Sequence, residues 1–287
     1  MPDIHLPQGT VNYRVAGPAD ASGSPVVFVH GFLVDGTLWT RVADLLAARG
    51  VRSYAPDWPL GSHRVPLNPD AEQSPRGVAK QILAFIEALD LHDVTLVGND
   101  TGGAISQFLL DTDAQRIGRV VLTNCDAFES FPPFPFNIVF GLAKRPMMAK
   151  LLLGPMRARF MRHSPVGYGM LARRLDAQQT RAWIQPALED KAVRRDASRF
   201  LRAVKPKELV DVSTRLSRFG GPVKLVWGAA DRSFTLKLGK RLQQAFGTAS
   251  LVELPTARTF VPLDEPGRLA DEIAATIASS QLQPATR

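Results

Sequence analysis

The sequence predicts an α/β fold in which a mostly parallel central sheet is wound with helices and interrupted by one inserted helical segment. Three observations carry this expectation. Up to about residue 124, short β-rich apolar runs alternate with helical stripes, the pattern of strands joined by crossover helices. After Asp126 that rhythm stops, and no buried strand is read until Val223. From Val223 onward the alternation returns.

The elements follow in order. Thr10–Val15 reads as an edge strand. Val26–His30, Val94–Gly98 and Val120–Thr123 are nearly continuous apolar runs, as strands buried on both faces require, and Val51–Ala55 is a further strand. Leu38, Val42, Leu45 and Leu46 make a helical stripe that stops at Gly50. Ser74 is the expected N-cap of a second helix, with Pro75 at its first position and Val78, Ile82, Phe85, Ile86 and Leu89 on one face. A third helix, with Ile105, Phe108 and Leu109 on its apolar face, follows the Val94 strand. The run Phe131-Pro-Pro-Phe-Pro-Phe136 then opens helical stretches rich in Arg, Met and Leu. After them come the strand Val223–Trp227, a helix from about Ser233 to Phe246, the strand Ser250–Leu254 and a helix from about Glu265 to Ile277. The polar tail Gln281–Arg287 is expected to fray. Residues 1–127 and 212–287 are thus assigned to the core, and 128–211 to a helical cap.

At 287 residues the chain can hold one α/β core plus an insertion. Its 45% apolar and 22% charged residues are those of a folded globule. The single cysteine, Cys125, fits a reducing compartment, and residues 1–10 contain no apolar signal core, so a soluble cytoplasmic protein is expected. No run reaches the ~18 apolar residues of a membrane span. The net charge of +8 is concentrated: Ala127–Asp211 has 16 Lys or Arg against 7 Asp or Glu, a balance of +9 that leaves −1 for the rest. These cations read as solvated helix faces. No aromatics interleave with them as a base-stacking platform needs, which argues against a nucleic-acid partner. No cofactor or metal is expected; the expected partner is a small apolar substrate or ligand.

The chemistry is carried by short segments. Leu96-Val-Gly-Asn-Asp-Thr-Gly-Gly103 lies between an apolar strand and a helix, with small residues flanking Asp100 as a sharp nucleophile turn demands. His30-Gly31-Phe32 follows the Val26 strand, so the Phe32 and Thr101 amides would form an oxyanion hole; His30 reads as structural. Val226-Trp-Gly-Ala-Ala-Asp231 brings an acid to a strand end. On these segments the chain resembles the α/β-hydrolase superfamily from about Thr10 to Ile277. Asp100 at the elbow narrows the resemblance to haloalkane dehalogenases and epoxide hydrolases. That resemblance implies attack by the aspartate on an sp³ carbon and an alkyl-enzyme ester, which a histidine-activated water hydrolyses. A carboxylate needs no base to become a nucleophile; only the second step does.

Here the sequence departs from its relatives. Their terminal histidine motif appears as Thr259-Phe-Val-Pro-Leu-Asp-Glu-Pro266, with threonine in the histidine slot, and no histidine follows His163. His63, in the loop after the Val51 strand, is either a loop histidine bonded to backbone or solvent, or a relocated base. Asp126 either caps the first turn of the cap or shares a pocket with Asp100 and Asp231, where clustered carboxylates raise one another's pKa and one can act as an acid. The dehalogenase halide clamp is absent, since Phe32 and Thr101 stand where Asn and Trp are usual. Leu33 replaces a proline common in epoxide hydrolases, and Tyr168 is the only tyrosine in the cap. Met147, Met148, Met156 and Met161, with Leu151–Leu153 and Phe160, read as cap packing or an adaptable apolar pocket. Three functions remain open: hydrolysis through Asp100, a non-hydrolytic lyase, isomerase or cyclase reaction on the carboxylates, or ligand binding without catalysis.

Overall fold

A computed structural model describes residues 1–21 and 23–281. One sheet contains β1 (Asp3–Leu6), β2 (Gly9–Ala16), β3 (Val26–Val29), β4 (Ser53–Pro56), β5 (Val94–Asp100), β6 (Ile117–Cys125), β7 (Val223–Gly228) and β8 (Ser250–Leu254). Their spatial order is β1-β2-β4-β3-β5-β6-β7-β8. β2 pairs antiparallel with both β1 and β4, and every other neighbouring pair is parallel. In the core the helices are α1 (Thr40–Ala47), α2 (Pro75–Ala88) and α3 (Thr101–Thr112). Between β6 and β7 lie α4 (Phe136–Ala143), α5 (Pro146–Leu153), α6 (Arg159–Arg162), α7 (Ala177–Glu189), α8 (Lys191–Ala203) and α9 (Pro206–Ser213), with no strand of the sheet among them. α10 (Leu236–Phe246), α11 (Val261–Asp264) and α12 (Pro266–Gln281) complete the chain as described.

The two-residue period of the strands divides the core into two layers. Val27, Val29, Leu96, Val120, Leu122, Leu225 and Trp227 point to one face, where Val78, Ile82 and Phe85 of α2 and Ile105 and Phe108 of α3 cover them. Val26, Phe28, Val97, Val121 and Val226 point to the other, against Val42 and Leu46 of α1 and Leu269 and Ile273 of α12. Burying such side chains contributes roughly 1.5–3 kcal/mol each, which is why the central strands read so plainly as apolar runs. α2 begins as expected: Ser74 Oγ accepts the Gly77 amide at 2.9 Å, and Pro75 occupies the first turn.

Several boundaries differ from expectation. Thr10–Val15 is not the edge strand, because β1 pairs along its outer side. The helix read from Ser233 starts at Leu236, since the Asp231 carboxylate accepts the Ser233 and Phe234 amides at 2.8 and 3.1 Å and holds that stretch as a turn. α12 runs to Gln281, four residues past Ile277. The 211/212 division falls inside α9, whose Leu209 and Val212 pack in the same cluster as Phe108 of α3. Most of the predicted tail, residues 282–287, lies outside the described residues.

Candidate active site

β5 ends at Asp100 and α3 begins at the next residue, so the chain reverses direction over one position. Asp100 has φ 55° and ψ −132°, a strained conformation for a residue with a side chain. The turn is possible because the chain packs backbone against backbone there. A Cβ on Gly102 would lie 2.1 Å from the Val29 carbonyl oxygen, and one on Gly31 would lie 2.0 Å from Asp100 Oδ2. The Asp100 carboxylate is therefore pressed against the His30-Gly31-Phe32 turn, where the Thr101 and Phe32 amides approach it and favour its charged form. Burial raises its pKa to about 7; the Thr101 amide lowers it, nearby Asp231 raises it, and the Phe32 amide lowers it. Near neutral pH the group is thus poised between acid and carboxylate.

Asp126 follows β6, and its amide donates to the Asp100 carbonyl at 3.3 Å. Its side chain is fully buried, and neither carboxyl oxygen has a hydrogen bond of regular geometry; the Thr101 hydroxyl approaches without forming one. Burial, then the charge of Asp100, pushes its pKa well above the ordinary carboxylate range. Both effects favour the protonated form of Asp126.

Asp231 is held differently. Besides the two amides that shape its turn, it accepts from Asn124 Nδ2 at 3.0 Å and from Thr259 Oγ1 at 2.8 Å, both on Oδ2. Burial raises its pKa against these bonds, of which the one from Thr259 is the largest. Thr259 is wholly buried, and its carbonyl accepts from Asn99 Nδ2 at 2.7 Å, which ties the elbow to the Thr259 loop. Thr259 thus gives Asp231 a hydroxyl that satisfies the acid but has no basic nitrogen.

His63 does not line the cavity described next. It is buried against α8, where Nε2 lies 3.4 Å from Asp196 Oδ2 and Nδ1 accepts the Gly61 amide at 3.3 Å. His30 is structural, as read: Nε2 accepts the Trp58 amide at 2.8 Å, Nδ1 lies 2.9 Å from the Gly31 carbonyl, and burial lowers its pKa to about 4.

Asp100, Thr101 and Asp126 form part of the wall of one cavity between the sheet and the inserted helices. Its remaining wall is mostly apolar, with Phe32, Phe136, Phe140, Leu152 and Met156 prominent, and no histidine is part of it. Asp231 and Thr259 are not part of this wall. Four residues that sequence reasoning did not assign a role help build the site. Asn99 and Asn124 fasten the elbow and the Asp231 turn; Asn124 also accepts the Gly228 amide at 2.6 Å. Tyr168 lines the cavity, but its hydroxyl already donates to the Leu33 carbonyl. Arg194 lines it too, with Nη1 bonded to the Ala187 and Leu188 carbonyls at the end of α7. For the two asparagines, only the place of Asn99 beside Asp100 and of Asn124 two residues before Asp126 was available as a signal.

A family model described as "Alpha/beta hydrolase family" matches residues 26–272. The chain belongs to the alpha/beta hydrolase family. Among curated relatives of this hydrolase-family chain, a 2-hydroxy-6-oxononadienedioate/2-hydroxy-6-oxononatrienedioate hydrolase of Paraburkholderia xenovorans (strain LB400) is 25% identical over 252 residues, spanning 84% of this chain and 81% of the relative. A haloalkane dehalogenase of Agrobacterium fabrum is 32% identical over 118 residues, 39% of this chain and 38% of that protein. Haloalkane dehalogenase DbeA from Bradyrhizobium elkani USDA94 superposes with a TM-score of 0.77 at 18% identity, covering 97% of each chain, a likeness of fold.

Proposed function

We propose that the protein is a hydrolase in which Asp100 attacks an sp³ carbon of a small or medium apolar electrophile, with Asp126 as the acid for an oxygen leaving group and the inserted helices as a cap. One observation carries the reading: half-buried Asp100 and fully buried Asp126, the first with its pKa raised to about 7 and the second pushed towards its protonated form, share the wall of an apolar cavity without a histidine. The naming of relatives as hydrolases and a dehalogenase supports it.

In this scheme Asp100 forms a C–O bond as the carbon's bond to its leaving group breaks, and the electron pair departs with that group. When the leaving atom is an epoxide oxygen, it takes the Asp126 proton. Tyr168 is spent on the Leu33 carbonyl and does not compete for this role. The new Asp126 carboxylate then removes a proton from water as the water adds to the Asp100 ester, while the Phe32 and Thr101 amides hold the resulting oxyanion. Asp126 returns that proton to the departing alkoxide, and the proton left on Asp100 passes back to Asp126. A halide leaves without needing a proton. Asp126 then stays protonated, Thr259 cannot serve as a base, and the ester persists.

Thr259→His tests the missing base. Asp231 Oδ2 already binds the side chain at this position, so the new imidazole gains an orienting carboxylate. The lifetime of a halide-derived ester, followed by intact-protein mass spectrometry, is expected to fall by about 10²–10⁴-fold, the usual contribution of a general base. An unchanged lifetime in a correctly folded variant contradicts the reading.

A second reading draws on the same pair. A carboxyl group pushed towards its protonated form beside one with its pKa raised to about 7 is also suited to proton transfer, so a lyase, isomerase or cyclase reaction would convert substrate with no adduct on Asp100.

A further inference from the structure

The inserted segment turns an apolar and basic face to solvent. Of the ten large apolar side chains exposed among the described residues, eight lie between Phe134 and Val166. Ile138 and Leu142 are spaced by four on the outer face of α4, and Met147 and Leu151 repeat that spacing on α5. Phe134, Met147 and Phe160 are 71%, 79% and 75% exposed, far beyond what packing against the core leaves for such side chains. The inner faces of the same helices, including Phe136, Phe140, Ala149 and Leu152, line the cavity.

Charge identifies what this face fits. Between Glu129 and Asp176 the sequence has no acidic residue, yet Lys144, Arg145, Lys150, Arg157 and Arg159 are exposed there. None of these five pairs with a carboxylate among the described residues. Exposed apolar side chains at helical spacing, ringed by unpaired cations, match the chemistry of an anionic bilayer: acyl chains receive the apolar groups and phosphates the cations. The face also meets the cavity, because Val139 and Val166 are both exposed and part of its wall. We propose that α4, α5 and α6 dock the protein on an anionic lipid surface, with the cavity mouth turned towards the membrane. No helix of the described residues is long and apolar enough to cross a bilayer, so the attachment is peripheral. This inference does not rest on the role given to Asp100.

Flotation of the full chain with vesicles tests it. Vesicles with equal parts phosphatidylglycerol and phosphatidylcholine are expected to carry most of the protein in 0.1 M salt, and pure phosphatidylcholine vesicles little. Raising salt to 0.5 M should weaken binding about tenfold, because the Debye length then falls below the reach of surface charges. Met147→Glu with Leu151→Glu should reduce binding at least about tenfold by setting two anions against the lipid phosphates. Circular dichroism and Tm should be unchanged, since both side chains are exposed. Lys237→Glu, an exposed charge reversal on α10, should leave binding intact. Absence of binding, equal binding to neutral vesicles, or the same loss with Lys237→Glu overturns the proposal. A wild-type dimer in sedimentation that the Met147/Leu151 double variant converts to monomer also overturns it, because the face would then be an interface between copies.

Discussion

Asp100→Ala is expected to eliminate covalent labelling by alkyl halides and turnover of epoxides, a loss of about 10⁴-fold or more as when an enzyme's nucleophile is removed. Asp126 lines the same cavity, but burial favours its protonated form, a poor nucleophile, so it is not expected to take over the attack. The loss should not come from unfolding. The Asp100 pKa rises from 3.8 to about 7 on burial, so the folded state holds a proton that the unfolded state has released between these values. Stability from this group is greatest below about pH 4 and is lost as pH rises through about 7. The variant lacks that dependence, and at neutral pH it escapes the cost of a buried carboxylate. Alanine at φ 55° offsets part of the gain through backbone strain. Thermal unfolding across pH, alongside mass spectrometry of labelled protein, separates these effects. Full labelling of the alanine variant would remove Asp100 from the chemistry.

Asp126→Asn is expected to divide the substrates. Epoxide consumption should fall by about 10²–10⁴-fold, since the asparagine amide can neither protonate the ring oxygen nor later accept a proton from water. Labelling by a primary alkyl halide should stay within a few-fold of wild type, because no proton enters that step. Initial rates with both substrates on the same preparation make the comparison. Equal losses with the two would assign the Asp126 side chain to shaping the elbow and not to acid catalysis.

The central strands were legible because both faces of β3, β5, β6 and β7 are buried and demand apolar residues in sequence. β1 was not: Asp3-Ile-His-Leu6 is short and half polar, and it gains its place by antiparallel pairing with β2. The elbow could be read because Gly102 is required by backbone packing that no side chain can enter, Gly31 by the Asp100 side chain pressed on it, and Gly98 by Ser106 and the Gly102–Gly103 backbone. What the sequence hides is where partners come from. Asn99 bonds the Thr259 carbonyl 160 positions away, and Asn124 reaches Asp231 across 107. Likewise, His63 stands in a loop that reads as approaching the pocket, yet its partner is Asp196 of α8. The concentration of charge in residues 127–211 was plain from counting, but its meaning depended on α4 and α5 exposing apolar and basic side chains together.

The absence of a base is the center of this account, and the mass of the wild-type protein tests it most directly. After brief exposure to a primary alkyl halide and removal of excess reagent, one alkyl group per chain is predicted, located on the Asp100 peptide and persisting for hours. An epoxide under the same conditions should yield diol and leave no lasting adduct. Rapid multiple turnover of the halide to alcohol by wild type, with no adduct at any time, would contradict the account.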